Sequence, residues 1–322
     1  MNRLTKLARC LTNRTYLQSL SRGVAASVEH EPTLRGLTPH PATIVDIGAN
    51  RGQFATLARH LWPRADIHAI EPLQAPRTQL DSVAGMHCLT THHVAISSKA
   101  GSRKMFVSRR DDSSSLLPIG DGQTSAFPGT DAVGQEIVKT CRLSDIISPS
   151  KIHRPAFLKI DVQGSEYDVL RGCEDLLSAF KWIYVECSET ELYEGQALRP
   201  DIQAWLEARG FMIESIGPTA MIDGEAVQMD ILFQRVSGGE SEVSADRVTA
   251  QQIKNRLRVF DFYAQPIDEF DVVIDKNGWE VSFFGHDYMC RHHISDDRVA
   301  ENGPIWIKVI GKGLAAEIVV DQ

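Results

Sequence analysis

The 322-residue chain reads as an α/β protein, with a doubly wound, Rossmann-like sheet over residues 41–236 and a small β-rich accessory domain over 249–322. Three observations predict this. Short apolar or β-branched runs alternate with helical periodicities from 41 to 236. A glycine-bracketed loop joins the first run to a helix. Beyond a polar linker at 237–248, which begins Ser237-Gly238-Gly239, the pattern changes to hairpins.

Residues 1–40 are an amphipathic helical segment and connector. Through Ser27 the segment has no acid and carries Arg3, Lys6, Arg9, Arg14 and Arg22, with Leu4, Leu7, Leu11, Leu17, Leu20 and Val24 on one helical stripe. Packing against the main domain is the usual fate of such a stripe. A basic amphipathic helix also suits peripheral contact with an anionic membrane, or a transit peptide. Pro32, Pro39 and Pro41 punctuate the connector.

Ile44, Val45 and Ile47 form the kind of run that a central parallel strand needs, because helices cover both of its faces. Gly48 and Gly52 then bracket a loop in which a Cβ would forbid the turn or hold a ligand off the backbone. Phe54, Leu57, Ala58 and Leu61 recur at helical spacing, so the loop ends at a helix N-terminus, where free N–H groups suit an anion. The spacing is not the Gly-x-Gly-x-x-Gly of a dinucleotide fingerprint. The second strand, 66–70, ends at Glu71, where a carboxylate can accept hydrogen bonds from two ribose hydroxyls. Loop and acid together indicate a nucleoside-containing ligand.

A helix follows, then a third strand near 92–96 and a hairpin turn at Ala100-Gly101 with its return strand at 104–107. Residues 111–134, rich in Ser, Gly, Asp and Pro, suggest a mobile flap over the site. The run 157–161 starts as a buried strand, yet Lys159 and Asp161 fall on one side, where unpaired charges are costly. Ser165 with Asp168 has the form of a capping box opening a helix that stops at Gly172. The next strand, 182–186, also ends in a carboxylate, Glu186. Ser188 with Glu191 again has a capping-box form, and a later helix through Ile202, Trp205 and Leu206 ends at Gly210. Strands at 211–213 and 230–233 complete the sheet. In the accessory domain, 272–274 and 280–283 pair across Lys276-Asn277-Gly278, and 305–309 pairs with 315–320.

A net charge of -8 argues against nucleic-acid binding through bulk charge. The six cysteines are scattered and no secretory signal precedes them, which predicts reduced thiols and a cytoplasmic protein. His286, Asp287, Cys290, His292 and His293 are dense in metal-capable groups. They show no zinc spacing, and a polar β-turn without metal is expected.

The loop Val-Asp-Ile-Gly-Ala-Asn-x-Gly at 45–52, Glu71-Pro72, Ala95-Ile96 and, above all, Leu-Lys-Ile-Asp-Val-Gln-Gly-Ser-Glu at 158–166 with Val-Leu-Arg-Gly at 169–172 resemble the FkbM family of S-adenosylmethionine-dependent methyltransferases. Gln163 departs from the Glu more usual there. The resemblance covers roughly 41–236 and implies a class I methyltransferase sheet. It also implies methyl transfer to a hydroxyl of a small-molecule or glycan acceptor such as a sugar or polyketide. In that scheme Asp46, Gly48, Asn50, Gly52, Glu71 and Ala95 bind S-adenosylmethionine, with Asp46 near its ammonium, the helix N-terminus near its carboxylate and Glu71 on its ribose. Asp161 is the first candidate for the base that takes the acceptor proton, with Glu186 and Glu166 as alternatives, or Asp161 orients Lys159 or the acceptor. A nicotinamide-dependent oxidoreductase and a non-catalytic nucleoside-binding protein share the fold. The absent dinucleotide fingerprint disfavours the first, and the intact Asp46, Gly48, Glu71 and Asp161 disfavour the second.

Overall fold

The computed structural model describes residues 3–236 and the backbone of six strands between 257 and 321. The chain divides into two units, residues 1–237 and 238–322. The first unit begins with helices α1 (Arg3–Leu11) and α2 (Arg14–Leu20), a 3-10 turn Val28–His30 and the short helix α3 (Glu31–Leu34). Alternation then sets in: β1 (Thr43–Ile47), α4 (Gln53–Leu61), β2 (Asp66–Ile70), α5 (Gln74–His87), β3 (Thr90–His92), β4 (Ala95–Ile96) and β5 (Gly101–Ser108). There follow α6 (Asp121–Ala126), β6 (Ala132–Cys141), β7 (Ala156–Ile160), α7 (Glu166–Gly172), β8 (Phe180–Ser188), α8 (Arg199–Glu207), β9 (Phe211–Ile222) and β10 (Glu225–Arg235).

Seven strands form one mixed sheet in the order β3-β2-β1-β7-β8-β10-β9. β3 to β8 run parallel, whereas β10 and β9 return antiparallel. β1 and β7 are buried along their whole length because both faces are covered. On one face Ile44, Phe157, Trp182 and Tyr184 pack with Phe54 and Leu57 of α4 and with Tyr16, Val28 and Leu34 of the N-terminal segment. On the other, Val45, Leu158, Ile160 and Ile183 pack with Val169 and Leu170 of α7 and Ile202 and Leu206 of α8. The period-2 alternation of the strands produces both cores. Chain order reverses between β1 and β7, which makes the carboxyl ends of that pair the topological switch point.

Several local expectations need correction. The N-terminal stripe is not one packed face: Leu11 and Leu17 are 53% and 42% exposed, while Cys10, Tyr16 and Val24 are buried. Asn13 interrupts it. Its extended backbone (φ -129°, ψ 132°) and side chain cap a second helix, accepting from the N–H groups of Thr15 and Tyr16, so the register restarts. The segment docks through other apolar residues, Cys10, Tyr16, Ala26 and Val28, and through polar contacts of Lys6 to Glu29, Arg9 to Glu31, and Ser19 to Thr56 and His87. Asn13→Ala should cost about 1 kcal/mol and lower the melting temperature by roughly 2–4 °C, as calorimetry would read it.

β4 and β5 do not form a hairpin. β6 lies between them, parallel to β4 and antiparallel to β5. The residues of β6 are mostly exposed and lack apolar alternation, so no strand period marks them in the sequence. Neither capping box forms. The Ser165 side chain caps nothing, and Asp168 instead accepts from Ser97, Ser98 and Arg103. After Ser188 the chain runs on as a loop until α8, with Glu191 accepting from the Gly195 N–H.

The second unit holds the three-stranded sheets β11-β15-β16 and β12-β13-β14, from β11 (Leu257–Phe260), β12 (Phe270–Asp275), β13 (Gly278–Gly285), β14 (Tyr288–Ile294), β15 (Ile305–Ile310) and β16 (Glu317–Asp321). β12 and β13 pair antiparallel, as do β15 and β16. Cys290, His292 and His293 belong to β14 rather than to a turn. His286, Asp287 and the linker 237–248 lie outside the described residues.

Candidate active site

A cavity of about 230 Å³ opens at the switch point. The carboxyl end of β1 and its loop contribute Gly48 and Asn50, that of β2 contributes Glu71, and that of β7 contributes Lys159 and Asp161. Ala95, Met105 and Leu116 add an apolar wall, and the segment expected to be a flap adds Asp111, Asp112 and Ser114. Only the start of that segment, Asp111 to Leu116, lines the cavity. It is anchored there by Arg51 to Asp111 at 2.6 Å and by Tyr193, whose hydroxyl lies 3.0 Å from the Ser113 carbonyl. Ser113, Ser114 and Ser115 are buried.

Glu71 is 4% exposed, and its two oxygens accept the backbone N–H groups of Asn50 (2.9 Å) and Leu73 (2.8 Å). Burial outweighs these bonds and lifts its carboxyl to about 7. Gly48 has φ +82°, and a Cβ on it would stand 1.7 Å from the Asp161 carbonyl oxygen. The glycine is therefore demanded by the approach of β1 to β7, a reason within the fold. Gly52, at φ +90°, caps α4 and faces Val83 and Leu80 of α5 rather than the cavity.

Asp46 stands directly beside Lys159 in the β1–β7 register. It is fully buried, meets the Lys159 ammonium at 3.6 Å and does not line the cavity. Burial raises its carboxyl despite Lys159. Lys159 also donates to Asp161 at 3.1 Å. Desolvation opposes the charge of both partners, but their mutual attraction wins: Lys159 is held above and Asp161 below its ordinary value.

Gln163, at φ +57°, donates through Nε2 to Asp161 (2.9 Å) and Glu186 (2.6 Å), and its Oε1 lies 2.8 Å from the Tyr193 hydroxyl. The residue that departs from the family pattern thus bridges two carboxyl groups. Glu186 also accepts from Gln228 (2.8 Å), and burial beside Asp161 raises its carboxyl well above the usual range. It lies behind Gln163 and does not line the cavity. Glu166 likewise stays outside, where its Oε1 accepts the N–H groups of Val162 (3.1 Å) and Gly164 (3.0 Å) and shapes the turn after Asp161. The cavity thus gathers Gly48, Asn50, Glu71, Ala95, Lys159 and Asp161 and leaves out Asp46, Gly52, Glu166 and Glu186.

The N-terminal segment also reaches the cavity, through Lys6, Ser27, Glu29 and His30. Sequence reasoning missed these residues. The signal available was Glu29-His30-Glu31, three adjacent titratable groups closing a segment otherwise free of acids. Among the described residues no group of three or more His, Cys, Asp or Glu side chains could hold a metal ion, and no helix is long and apolar enough to cross a membrane. Cys10, Cys88, Cys141, Cys173 and Cys187 are free.

A cavity at the switch point of a doubly wound sheet, with a carboxylate at the end of the second strand, is the kind of site that binds a nucleoside-containing ligand. Residues 46–213, just over half of the chain, match the family model described as the methyltransferase FkbM domain. The chain belongs to the FkbM family of methyltransferases, whose methyl donor is S-adenosylmethionine. It is 27% identical over 190 residues to the 2-O-methyltransferase NoeI of Sinorhizobium fredii, covering 57% of this chain and 78% of the relative. It is 28% identical over 204 residues to the 31-O-demethyl-FK506 methyltransferase FkbM of Streptomyces tacrolimicus, covering 55% and 76%. Among solved structures it is similar to the magnesium protoporphyrin IX methyltransferase ChlM of Synechocystis PCC 6803, with a TM-score of 0.37, 11% identity and coverage of 70% of this chain and 85% of that one.

Proposed function

We propose that this enzyme methylates a hydroxyl of a small molecule or glycan, of the sugar or polyketide kind. The observation that carries the reading is the placement of two unlike carboxylates in one cavity, Glu71 on the β2 side of the switch point and the Lys159-paired Asp161 on the β7 side. The names of the two relatives, both O-methyltransferases, support the oxygen acceptor.

The residues fit the donor. After accepting two backbone N–H groups, each Glu71 oxygen keeps a lone pair for a ribose hydroxyl. Ala95, Met105 and Leu116 offer an apolar surface to a purine, and the Gly48–Asn50 backbone faces the remainder. The bound donor supplies a methyl group already activated by positive sulfur. The protein's tasks are to align the acceptor oxygen, exclude water and remove a proton. Asp161 serves the alignment: it is ionised and locked by Lys159 and Gln163, which suits it to accept a hydrogen bond from the hydroxyl. Asp46 fixes Lys159 from behind, and Glu186 and Glu166 support Gln163 and the turn.

The test is transfer of isotope-labelled methyl from S-adenosylmethionine to a panel of methyl glycosides and macrolactones, beside amine and carboxylate controls. Label on the hydroxyl compounds is expected. Transfer to amines or carboxylates alone would overturn the oxygen acceptor. Asp161→Asn should lower kcat by about a hundredfold or more while the affinity for S-adenosylhomocysteine stays the same, and an unchanged kcat would remove Asp161 from the mechanism.

A further inference from the structure

A hydroxyl that accepts a methyl group must shed its proton, and the carboxylates at the cavity are engaged elsewhere: Glu29 is paired with Lys6, Asp111 with Arg51 and Asp112 with Arg110. Both oxygens of Asp161 are engaged, Oδ2 by the Lys159 ammonium and Oδ1 by Gln163, and the ammonium opposes protonation. Glu71 lies on the opposite side of the switch point, between two backbone donors.

His30 lines the same cavity, yet it precedes the family-matched residues 46–213. It ends the 3-10 turn Val28–His30, which α1 fastens through Lys6 to Glu29. Its ring is wedged edge-on against Phe54 and Tyr184, with centroids at 6.0 and 5.6 Å, and the side chain is 14% exposed. Nδ1 lies 2.9 Å from the Tyr184 hydroxyl and 3.5 Å from Asp230 Oδ2. With Nδ1 turned into the protein, Nε2 is the nitrogen left for the cavity. Tyr184 and Asp230 stand on neighbouring strands of the sheet, so the imidazole is set by the rigid core although it comes from the N-terminal segment.

We propose that His30 is a catalytic residue of this methyltransferase, taking the acceptor hydroxyl's proton on Nε2 while Tyr184 and Asp230 hold Nδ1. This rests on the hydroxyl-acceptor reading. As the oxygen–carbon bond forms and the carbon–sulfur electron pair stays with sulfur, the acceptor oxygen becomes strongly acidic and its proton passes to Nε2. An ether, a neutral thioether and an imidazolium result, and the imidazolium then releases its proton to water. A weak base suffices because the oxygen acidifies during the transfer itself.

The surroundings agree. Burial is the largest influence on the ring; Glu29 and Asp161 favour its charged form, Lys159 and Lys6 oppose it, and together they bring it down to about 4. Asp230, held up at about 8 by burial and Asp161, faces Nδ1. The imidazole is therefore neutral near pH 7 and sheds a captured proton readily, which returns the base to its starting form.

The test is nitrogen NMR of the full chain labelled at histidine with ¹⁵N, free and with S-adenosylhomocysteine, with His30→Gln identifying the His30 signals. A neutral ring with its proton on Nδ1 and a bare Nε2 at neutral pH is expected. A proton on Nε2, or a charged ring, would overturn the proposal. On methyl glycosides that accept label, His30→Gln should lower kcat by about a hundredfold with S-adenosylhomocysteine affinity unchanged, and an undiminished kcat would overturn it too. If no hydroxyl compound is methylated by either protein while the thioether still binds, the acceptor reading fails, and the tautomer still decides whether His30 can act as a base.

Discussion

Glu71→Ala is expected to weaken S-adenosylhomocysteine binding by about a hundredfold or more. Two hydrogen bonds to a charged acceptor are lost, together worth about 3 kcal/mol or more. Calorimetric titration measures the loss, and the melting temperature of the ligand-free variant shows that the fold persists. An unchanged Kd would remove Glu71 from the donor site. The same carboxyl gives binding a pH dependence. Burial first, partly offset by the N–H groups of Leu73 and Asn50, lifts Glu71 from 4.5 to about 7 in the ligand-free protein. Only the ionised group accepts from both ribose hydroxyls, so affinity should fall as the pH drops below about 7, approaching tenfold per pH unit. For folding the sign is reversed. A carboxyl that holds its proton more tightly folded than unfolded contributes stability below pH 4.5, and loses it as the pH rises through about 7. Glu166, raised by burial to about 7, adds to this trend. Saturating ligand should therefore raise the melting temperature more above pH 7 than below it.

Gly48→Ala is expected to remove about 4 kcal/mol or more of stability, a large part of what a domain possesses. The backbone conformation at φ +82° alone costs an alanine about 1–2 kcal/mol. The larger share comes from the Cβ, 1.7 Å from the Asp161 carbonyl oxygen, which would force the ends of β1 and β7 apart. That carbonyl belongs to rigid backbone: the Asp161 N–H is hydrogen-bonded to the Ile47 carbonyl at 3.1 Å. Urea denaturation reads the loss, with Gly36→Ala as control, since a Cβ there meets nothing within 4 Å. A Gly48→Ala protein as stable as the control would show that the two strand ends separate freely.

The two glycines of the loop have different causes, both within the fold. Read from the sequence, Gly48 and Gly52 suggest a backbone opened for a ligand. In the structure one admits a neighbouring strand and the other turns against α5, so the ligand gains a loop whose shape the protein's own packing dictates. Asp46 shows the same displacement of role: it belongs to the signature motif, but it sits inside β1, short of the strand end and behind the Lys159 ammonium, and does not line the cavity.

What the sequence by itself determined is the series of strand ends. Buried runs ending in Gly48, Glu71 and Asp161 could be read in order, because a strand covered on both faces must be apolar until it leaves the sheet. From those ends came the nucleoside-type ligand and the family. Only the tertiary structure decided which charges share the cavity. Asp46, Glu166 and Glu186 look equivalent to Asp161 along the chain, but register, a turn and the bridging amide of Gln163 place them behind it. The place of β6 between β4 and β5 was equally invisible, since an exposed strand carries no apolar period. His30 lies 131 positions before Asp161 (161 minus 30) in a segment without a motif, and it enters the cavity because Leu34, Val28 and Tyr16 bury the N-terminal segment against the face that carries Tyr184. Local pattern records what each strand must bury, whereas the meeting of distant side chains depends on how the covered faces close on one another.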